Sequence, residues 1–261
     1  MAIPNTVLPM YLVLDSSKSM NKKDRDGKSA FQAAIEIAIE LHENVINSPS
    51  VTERLRTEVI FFDDEANVSL ELCGPKYIDP WYQRNKEAVA TGTSTHYSAA
   101  FRLLKQRIDI GANNLKAEGK ENGFAVLRPL VIFLTDGKPT EKAVYIQKPF
   151  RELIDASYGY RPNIICIGVG DATREALEDY AAGTVHASPS DREYVVGNDM
   201  MTIIPDNTKM AASVISEITD ALVRSIVGTI NSSTEVELNE AGIVEPVVAL
   251  DDDFKVFVNK R

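Results

Sequence analysis

The segment Val7–Met20 joins an apolar run to an acid and three serines. Asp15, Ser17 and Ser19 follow the run at alternate positions, in the pattern D-x-S-x-S. A near-continuous apolar run is typical of a strand that is buried in a parallel sheet. Oxygen-bearing side chains directly after such a strand lie at its carboxyl end, which is where open α/β sheets bind ligands. The segment therefore predicts an α/β protein with a polar site at this strand end.

Apolar patterning elsewhere in the chain supports the same fold class. We predict strands at 8–15, 56–62, 66–72, 129–135 and 163–169, and a further short strand at 184–187 or 193–196. We predict helices at 29–46, 95–108, 149–157, 173–182 and 208–228, with irregular connections at 73–91 and 111–124. The resulting fold is a doubly wound, mostly parallel central sheet with helices on both faces.

One edge of the predicted sheet is antiparallel, because Asp63-Asp64-Glu65 has the composition of a hairpin turn between two strands. Residues 5–230 are expected to form this α/β domain. Residues 231–261 alternate apolar and polar side chains, which favours a C-terminal extension of short β segments.

Composition excludes several function classes. The 261 residues carry a formal net charge of −10, without a dense stripe of Lys and Arg, which disfavours nucleic acid or an anionic membrane as a partner. Cys73 and Cys166 are too far apart for a zinc motif or a disulfide framework. No signal peptide or membrane-spanning run is recognisable, so we expect a cytoplasmic protein.

The polar site is predicted to hold a hard divalent cation. Asp15, Ser17 and Ser19 offer only oxygen donors, which Mg2+ prefers over the nitrogen and sulfur donors that softer metals favour. Asp136 ends a second apolar strand and would lie at the same edge of the sheet. For the serines, a helix N-cap within a turn is the simpler alternative.

Three motif segments resemble the von Willebrand factor type A family and its metal ion-dependent adhesion site. They are Asp15-Ser16-Ser17-Lys18-Ser19, the helix-opening segment Thr91–Phe101, and Thr135-Asp136-Gly137. Within the family, the segments around them most resemble intracellular bacterial TerY-like proteins of tellurium resistance.

The resemblance implies a site for Mg2+, with Mn2+ or Ca2+ as alternatives. Ser17, Ser19 and Thr95 would coordinate the ion directly or nearly so, while Asp15 and Asp136 would act largely through bound water. Thr93 is an alternative to Thr95. Neutral hydroxyls leave the cation incompletely neutralised, so it would take a carboxylate from a partner protein. The implied function is a non-enzymatic binding module in a bacterial stress-response complex.

Two other functions remain open from the sequence. A Mg2+-dependent phosphoryl-transfer enzyme would use Asp15 as nucleophile, with Lys138 steadying a phosphate. Aspartate-nucleophile phosphatases, however, have a second acid two residues later, where this chain has Ser17. The third possibility is a degenerate scaffold that binds no metal.

Overall fold

The apolar N-terminal segment forms the central strand of the sheet, as predicted. The computed structural model describes residues 5–23, 27–46, 49–186, 192–196 and 201–205, together with 219, 222–224, 226 and 243–244. Strand β1 (Asn5–Asp15) is buried at every position after Asn5. It pairs in parallel with neighbouring strands on both sides, and this places Asp15 in the middle of the carboxyl edge.

Nine further strands and six helices belong to the described part of the chain. The strands are β2 (Leu55–Phe62), β3 (Ala66–Cys73), β4 (Phe124–Leu127), β5 (Leu130–Thr135), β6 (Asn163–Gly170), β7 (Ala182–His186), β8 (Arg192–Val196), β9 (Met201–Pro205) and β10 (Ile243–Val244). The helices are α1 (Ala30–Ile46), α2 (Pro49–Thr52), α3 (Ile78–Asn85), α4 (Tyr97–Asn122), α5 (Ala143–Ile154) and α6 (Arg174–Leu177).

The sheet is mixed and mostly parallel. Parallel pairs run β2–β1–β5–β6–β9, with β4 beside the start of β1 and β10 beside β4. Strand β3 is the predicted antiparallel edge and pairs with β2. A second antiparallel feature was not predicted: β7 pairs with the start of β6, and β8 pairs with β7.

Helices cover both faces of the sheet. Phe61 and Phe62 are successive residues of β2, so their side chains point to opposite faces. The ring of Phe61 lies 5.1 Å from that of Phe31 in α1 and 6.2 Å from that of Trp81 in α3. The ring of Phe62 lies 6.0 Å from that of Tyr97 in α4. The doubly wound arrangement is therefore confirmed.

Helix α4 is longer than the sequence predicts. It runs for 26 residues through the segment 111–124, which we expected to be an exposed connection. The prediction was wrong because Gly111 and Gly119 are packing positions inside the helix: a Cβ on Gly111 would lie 2.5 Å from Tyr11 Oη of β1, and one on Gly119 would lie 2.5 Å from Phe124 O. Gly123, with φ at 74°, ends the helix in the left-handed conformation that glycine adopts without strain.

Other element bounds also differ from the predictions. The segment 73–91, expected to be irregular, contains a 3-10 turn at Pro75–Tyr77 and helix α3. Helix α5 begins at Ala143 and runs through Pro149, six residues earlier than the predicted start at 149. The predicted helix 173–182 is reduced to α6 and a 3-10 turn at Glu178–Tyr180.

The C-terminal predictions fall largely outside the described residues. Of the predicted helix 208–228, only residues 219, 222–224 and 226 are described, and each is helical. Of the extension 231–261, only Ile243–Val244 is described, as β10. The boundary at 230 stays a prediction. Among the described residues, none of the helices combines the length and apolar character that crossing a bilayer requires.

A buried ion pair ties α4 to the sheet. Arg107 of α4 donates from Nε to Glu58 Oε1 at 2.7 Å and from Nη2 to Oε2 at 3.0 Å. The Leu72 amide also donates to Glu58 Oε2, at 3.1 Å. Glu58 is fully buried in β2, so its charge depends on these donors.

Replacing only the arginine should therefore be costly. We expect Arg107→Met to lower the free energy of unfolding by about 3 kcal/mol, because it leaves a buried carboxylate without its counter-charge. The double variant Glu58→Met/Arg107→Met should recover most of that loss. Urea denaturation of the two variants checks this, and equal destabilisation of both would contradict it.

Candidate metal centre

Three loops meet at the carboxyl edge of the sheet and are hydrogen-bonded to one another. They are loop A (15–19) after β1, loop B (91–97) before and into α4, and loop C (135–141) after β5. Loop A pairs with loop B through Gly92, whose amide donates to Ser16 O at 3.1 Å and whose carbonyl accepts from Lys18 N at 2.9 Å. Loops A and C meet at Asp15 and Asp136, so the two predicted acids belong to one site.

The Asp15 carboxylate is buried, and each of its oxygens accepts one hydrogen bond. Its Oδ1 accepts from Ser17 N at 2.8 Å, and its Oδ2 accepts from Thr135 Oγ1 at 2.6 Å. Its exposed fraction is 0%. Burial raises the pKa of Asp15, and the hydrogen bonds from Ser17 and Thr135 oppose that rise. The carboxylate is thus held in one orientation by loop A and by the last residue of β5.

Serine hydroxyls connect loop A to the second acid. Ser17 Oγ lies 3.0 Å from Ser19 Oγ, and Ser19 Oγ donates to Asp136 Oδ1 at 2.9 Å. Burial and the nearby charge of Asp15 raise the pKa of Asp136 to about 6. Four of the five predicted site residues therefore form one network of oxygen atoms.

Thr95 lies at the junction of loops B and C. It is 5% exposed, its amide donates to Thr140 Oγ1 at 3.0 Å, and its carbonyl accepts from Thr140 N at 3.0 Å. Thr93 is exposed, and its hydroxyl donates to Asp64 Oδ2 at 2.7 Å. This difference in burial and bonding favours Thr95 over Thr93 as the site hydroxyl.

Tyr97 supports loop C of the site from the protein interior. It is fully buried, and its hydroxyl donates to Gly137 O at 2.8 Å. Its ring packs 4.9 Å from that of Phe133 in β5. As the first residue of α4, it already lies in the apolar layer between helix and sheet. His96 is half-buried, and its Nδ1 lies 3.0 Å from Asp64 O.

Sequence reasoning missed the acids that hold loop B. Asp64 accepts hydrogen bonds from Ser94 and Thr93, which keep the pKa of its carboxyl below the usual range. Glu141 of loop C accepts from Ser98 N at 2.7 Å and from Ser98 Oγ at 2.6 Å, at the start of α4. The available signal was position, since Asp64 and Glu141 each follow a strand that ends at the same edge.

The donor set fits a hard divalent cation. Two buried acids with raised pKa values mark a place where negative charge is poorly compensated, and a cation would supply that compensation. The adjacent hydroxyl and carboxylate oxygens are the donor type that Mg2+, Mn2+ and Ca2+ accept. Within the described residues, no group of three or more His, Cys, Asp or Glu side chains is placed to hold a metal, so a cation at this edge would depend on the hydroxyls as well as the two acids.

Part of the chain matches a known protein family. Residues 10–138 match a family model described as von Willebrand factor type A domain. No curated protein matches the chain.

Several solved structures share the fold. Proximal thread matrix protein 1 from the mussel byssus has a TM-score of 0.55 at 16% identity over 86% of this chain and 49% of that one. A von Willebrand factor type A protein from Catenulispora acidiphila has a TM-score of 0.56 at 14% identity over 85% of this chain and 43% of that one. The chain thus spans less than half the length of these two structures.

Two further comparisons bear on the domain and on the site. The SpRpn10 VWA domain has a TM-score of 0.53 at 12% identity, over 80% of this chain and 94% of that one. One structure of the mussel protein has a zinc-occupied MIDAS motif, the abbreviation for metal ion-dependent adhesion site. Its TM-score is 0.55 at 16% identity, over 86% of this chain and 48% of that one.

The raised pKa of Asp136 predicts a pH dependence in metal-free protein. A carboxyl whose folded-state pKa lies above its unfolded value stabilises the fold at low pH and loses that contribution as pH rises through the folded pKa, here about 6. In chelator, we therefore expect the free energy of unfolding of Asp136→Asn, relative to that of the wild type, to rise by about 2 kcal/mol between pH 4 and pH 7. Urea denaturation across this pH range checks the difference.

The exposed Asp179, outside the three loops, offers a matched control variant, Asp179→Asn. A stability difference between Asp136→Asn and the wild type that stays constant with pH would contradict the prediction.

Proposed function

Because residues 10–138 match the von Willebrand factor type A family, we propose that the chain is a non-enzymatic, Mg2+-dependent module that captures a carboxylate of a partner protein. The proposed ligands are Asp15, Ser17, Ser19, Thr95 and Asp136, with Mn2+ or Ca2+ as alternative ions. Domains of this family commonly mediate protein–protein interactions, and this supports the general class of the function.

The hydrogen-bond network across loops A and C is the observation that carries the proposal. Ser19 donates its proton to Asp136 at 2.9 Å and accepts from Ser17 Oγ at 3.0 Å, so one lone pair of its oxygen stays available for a cation. Asp15 and Asp136 thereby place negative charge next to the neutral hydroxyls of the serines. A cation held mainly by hydroxyls would accept one more anionic oxygen from outside, which an Asp or Glu of a partner supplies.

Neighbouring structures support a divalent metal at this kind of site without fixing its identity. The MIDAS motif of the mussel protein is zinc-occupied. The corresponding oxygen donors of this chain favour a harder ion, because zinc in proteins is mostly bound by Cys and His. Mg2+ is therefore the ion that we propose.

The geometry of Asp15 argues against the phosphoryl-transfer alternative. A nucleophilic carboxylate needs an oxygen that reaches the substrate, whereas both oxygens of Asp15 accept hydrogen bonds inside the protein and the residue is 0% exposed. A phosphate group would have to enter the protein to reach this carboxylate. In the proposed module, Asp15 acts largely through bound water, which is small enough for a confined site.

The cellular setting is a separate part of the proposal. A role in a bacterial, cytoplasmic stress-response complex of the tellurium-resistance kind rests only on the resemblance of the three motif segments to TerY-like proteins. The partner is proposed to be a protein that offers an Asp or Glu side chain.

Metal binding by the wild type should be visible as stabilisation. At a Mg2+ concentration about 100 times the dissociation constant, the free energy of unfolding should rise by about 2.7 kcal/mol. Asp15→Asn keeps the size of the side chain and should abolish this gain, because the charge is lost. Thermal unfolding with Mg2+ and with chelator checks the prediction. A wild type that Mg2+ and Mn2+ leave unchanged would instead indicate a scaffold that binds no metal.

A matched pair of threonine variants tests the ligand assignment. We expect Thr95→Ala to weaken Mg2+ binding by about tenfold or more, as for loss of a metal ligand, whereas Thr93→Ala should stay within about threefold of the wild type. Isothermal titration calorimetry with Mg2+ measures both. The reverse order would assign the site hydroxyl to Thr93.

A further inference from the structure

The turn between β2 and β3 is bonded to loop B more densely than a simple hairpin requires. The Asp64 carboxylate accepts four hydrogen bonds from two successive residues of loop B. Thr93 donates from its amide at 3.0 Å and from its hydroxyl at 2.7 Å. Ser94 donates from its amide at 2.6 Å and from its hydroxyl at 2.7 Å. One side chain thus fixes the backbone of the two residues that precede Thr95.

The backbone of the same turn fixes the residue that follows Thr95. His96 N donates to Asp63 O at 2.9 Å, and His96 Nδ1 lies 3.0 Å from Asp64 O. The turn is itself closed by a hydrogen bond from Asp63 N to Glu65 O at 2.8 Å. Thr95 is therefore flanked on both sides by residues bonded to a rigid turn.

Close packing against the turn restricts the backbone path of loop B. A Cβ added to Gly92 would lie 2.0 Å from Asp63 Cβ, so glycine is needed where the loop passes the turn. Ser16 of loop A donates to Asp63 Oδ2 at 2.9 Å, which brings loop A against the same turn. The turn is consequently a shared support for loops A and B.

We propose that Asp64 is a positioning residue for the cation site: its carboxylate fixes loop B so that Thr95 is in place before an ion binds. The proposal rests on the proposed function, since it requires that Thr95 contributes to a cation site. Asp64 is exposed and bonded to Thr93 and Ser94, so it acts through these neighbours. Pre-ordering the loop removes an entropy cost that ion binding would otherwise carry.

Three variants separate positioning from simple charge attraction. Asp64→Ala removes all four acceptor bonds. Asp64→Asn removes the charge but keeps an oxygen that can accept the three bonds made to Oδ1, from Thr93 N, Ser94 N and Ser94 Oγ. Glu65→Ala is the matched control, because Glu65 is an exposed acid of the same turn whose backbone alone joins the turn bonds.

Calorimetric titration with Mg2+ or Mn2+ should rank these variants by geometry. We expect Asp64→Ala to bind about tenfold more weakly, and Asp64→Asn and Glu65→Ala to stay within about threefold of the wild type. Unfolding in chelator is measured separately, because a merely structural role would lower stability while leaving the metal affinity of the folded protein unchanged. If Asp64→Ala does not fold, the double variant Thr93→Ala/Ser94→Ala keeps the charge and should lose about fivefold in affinity.

The outcomes distinguish this inference from the function on which it rests. Equal losses in Asp64→Asn and Asp64→Ala would show that the charge attracts the ion and would overturn the positioning role. Wild-type affinity in Asp64→Ala would also overturn it while leaving the proposed function intact. A wild type that binds neither Mg2+ nor Mn2+ would overturn both.

Discussion

A buried carboxylate at the end of the central strand is the constraint on which the rest of the edge depends. Asp15 has no exposed surface, and a buried charge is tolerated only where donors or a counter-charge compensate it. Thr135, the last residue of β5, and Ser17, in loop A where it pairs with Gly92, supply two hydrogen bonds. The nearby Asp136 does not compensate this charge, because two carboxylates repel each other, and the charge of Asp15 raises the pKa of Asp136. The edge is thus built around negative charge that the surrounding protein compensates only in part.

The loop that opens α4 is held from two directions. Asp64 of the β2–β3 turn takes the donors of Thr93 and Ser94, while Glu141 takes the amide and hydroxyl of Ser98. An acid near the first turn of a helix also interacts favourably with the helix dipole. Thr95 lies between these two anchored stretches, with its backbone bonded to Thr140. Two acids that are not proposed ligands therefore keep a candidate ligand in register with loops A and C.

The sequence predicted those features that short segments encode by themselves. Apolar runs located β1, β5 and β6, and the predicted acids Asp15 and Asp136 lie at the ends of β1 and β5. The length of α4 could not be read in this way, because Gly111 is a helix breaker in isolation, and the reason for it is the close approach of Tyr11 and Leu72 from the sheet. The bonds of Asp64 to loop B were equally hidden, since they join residues 29 and 30 positions apart. Local patterns identify strands and their ends, whereas long-range pairs decide which side chains support a site.

Charge repulsion explains why hydroxyls matter at this edge of the sheet. Each additional buried carboxylate would add repulsion to a place where two acids already have raised pKa values. A serine avoids that repulsion, because it donates its proton to an acid and still presents an oxygen. Ser19 does this with Asp136, and Ser17 extends the chain of hydroxyls towards Asp15. Such an arrangement draws on the negative charge of both acids while leaving the neutral oxygen of Ser19 at the surface. A cation held there would keep attraction for an anionic group from another molecule, which a site made only of carboxylates would satisfy internally.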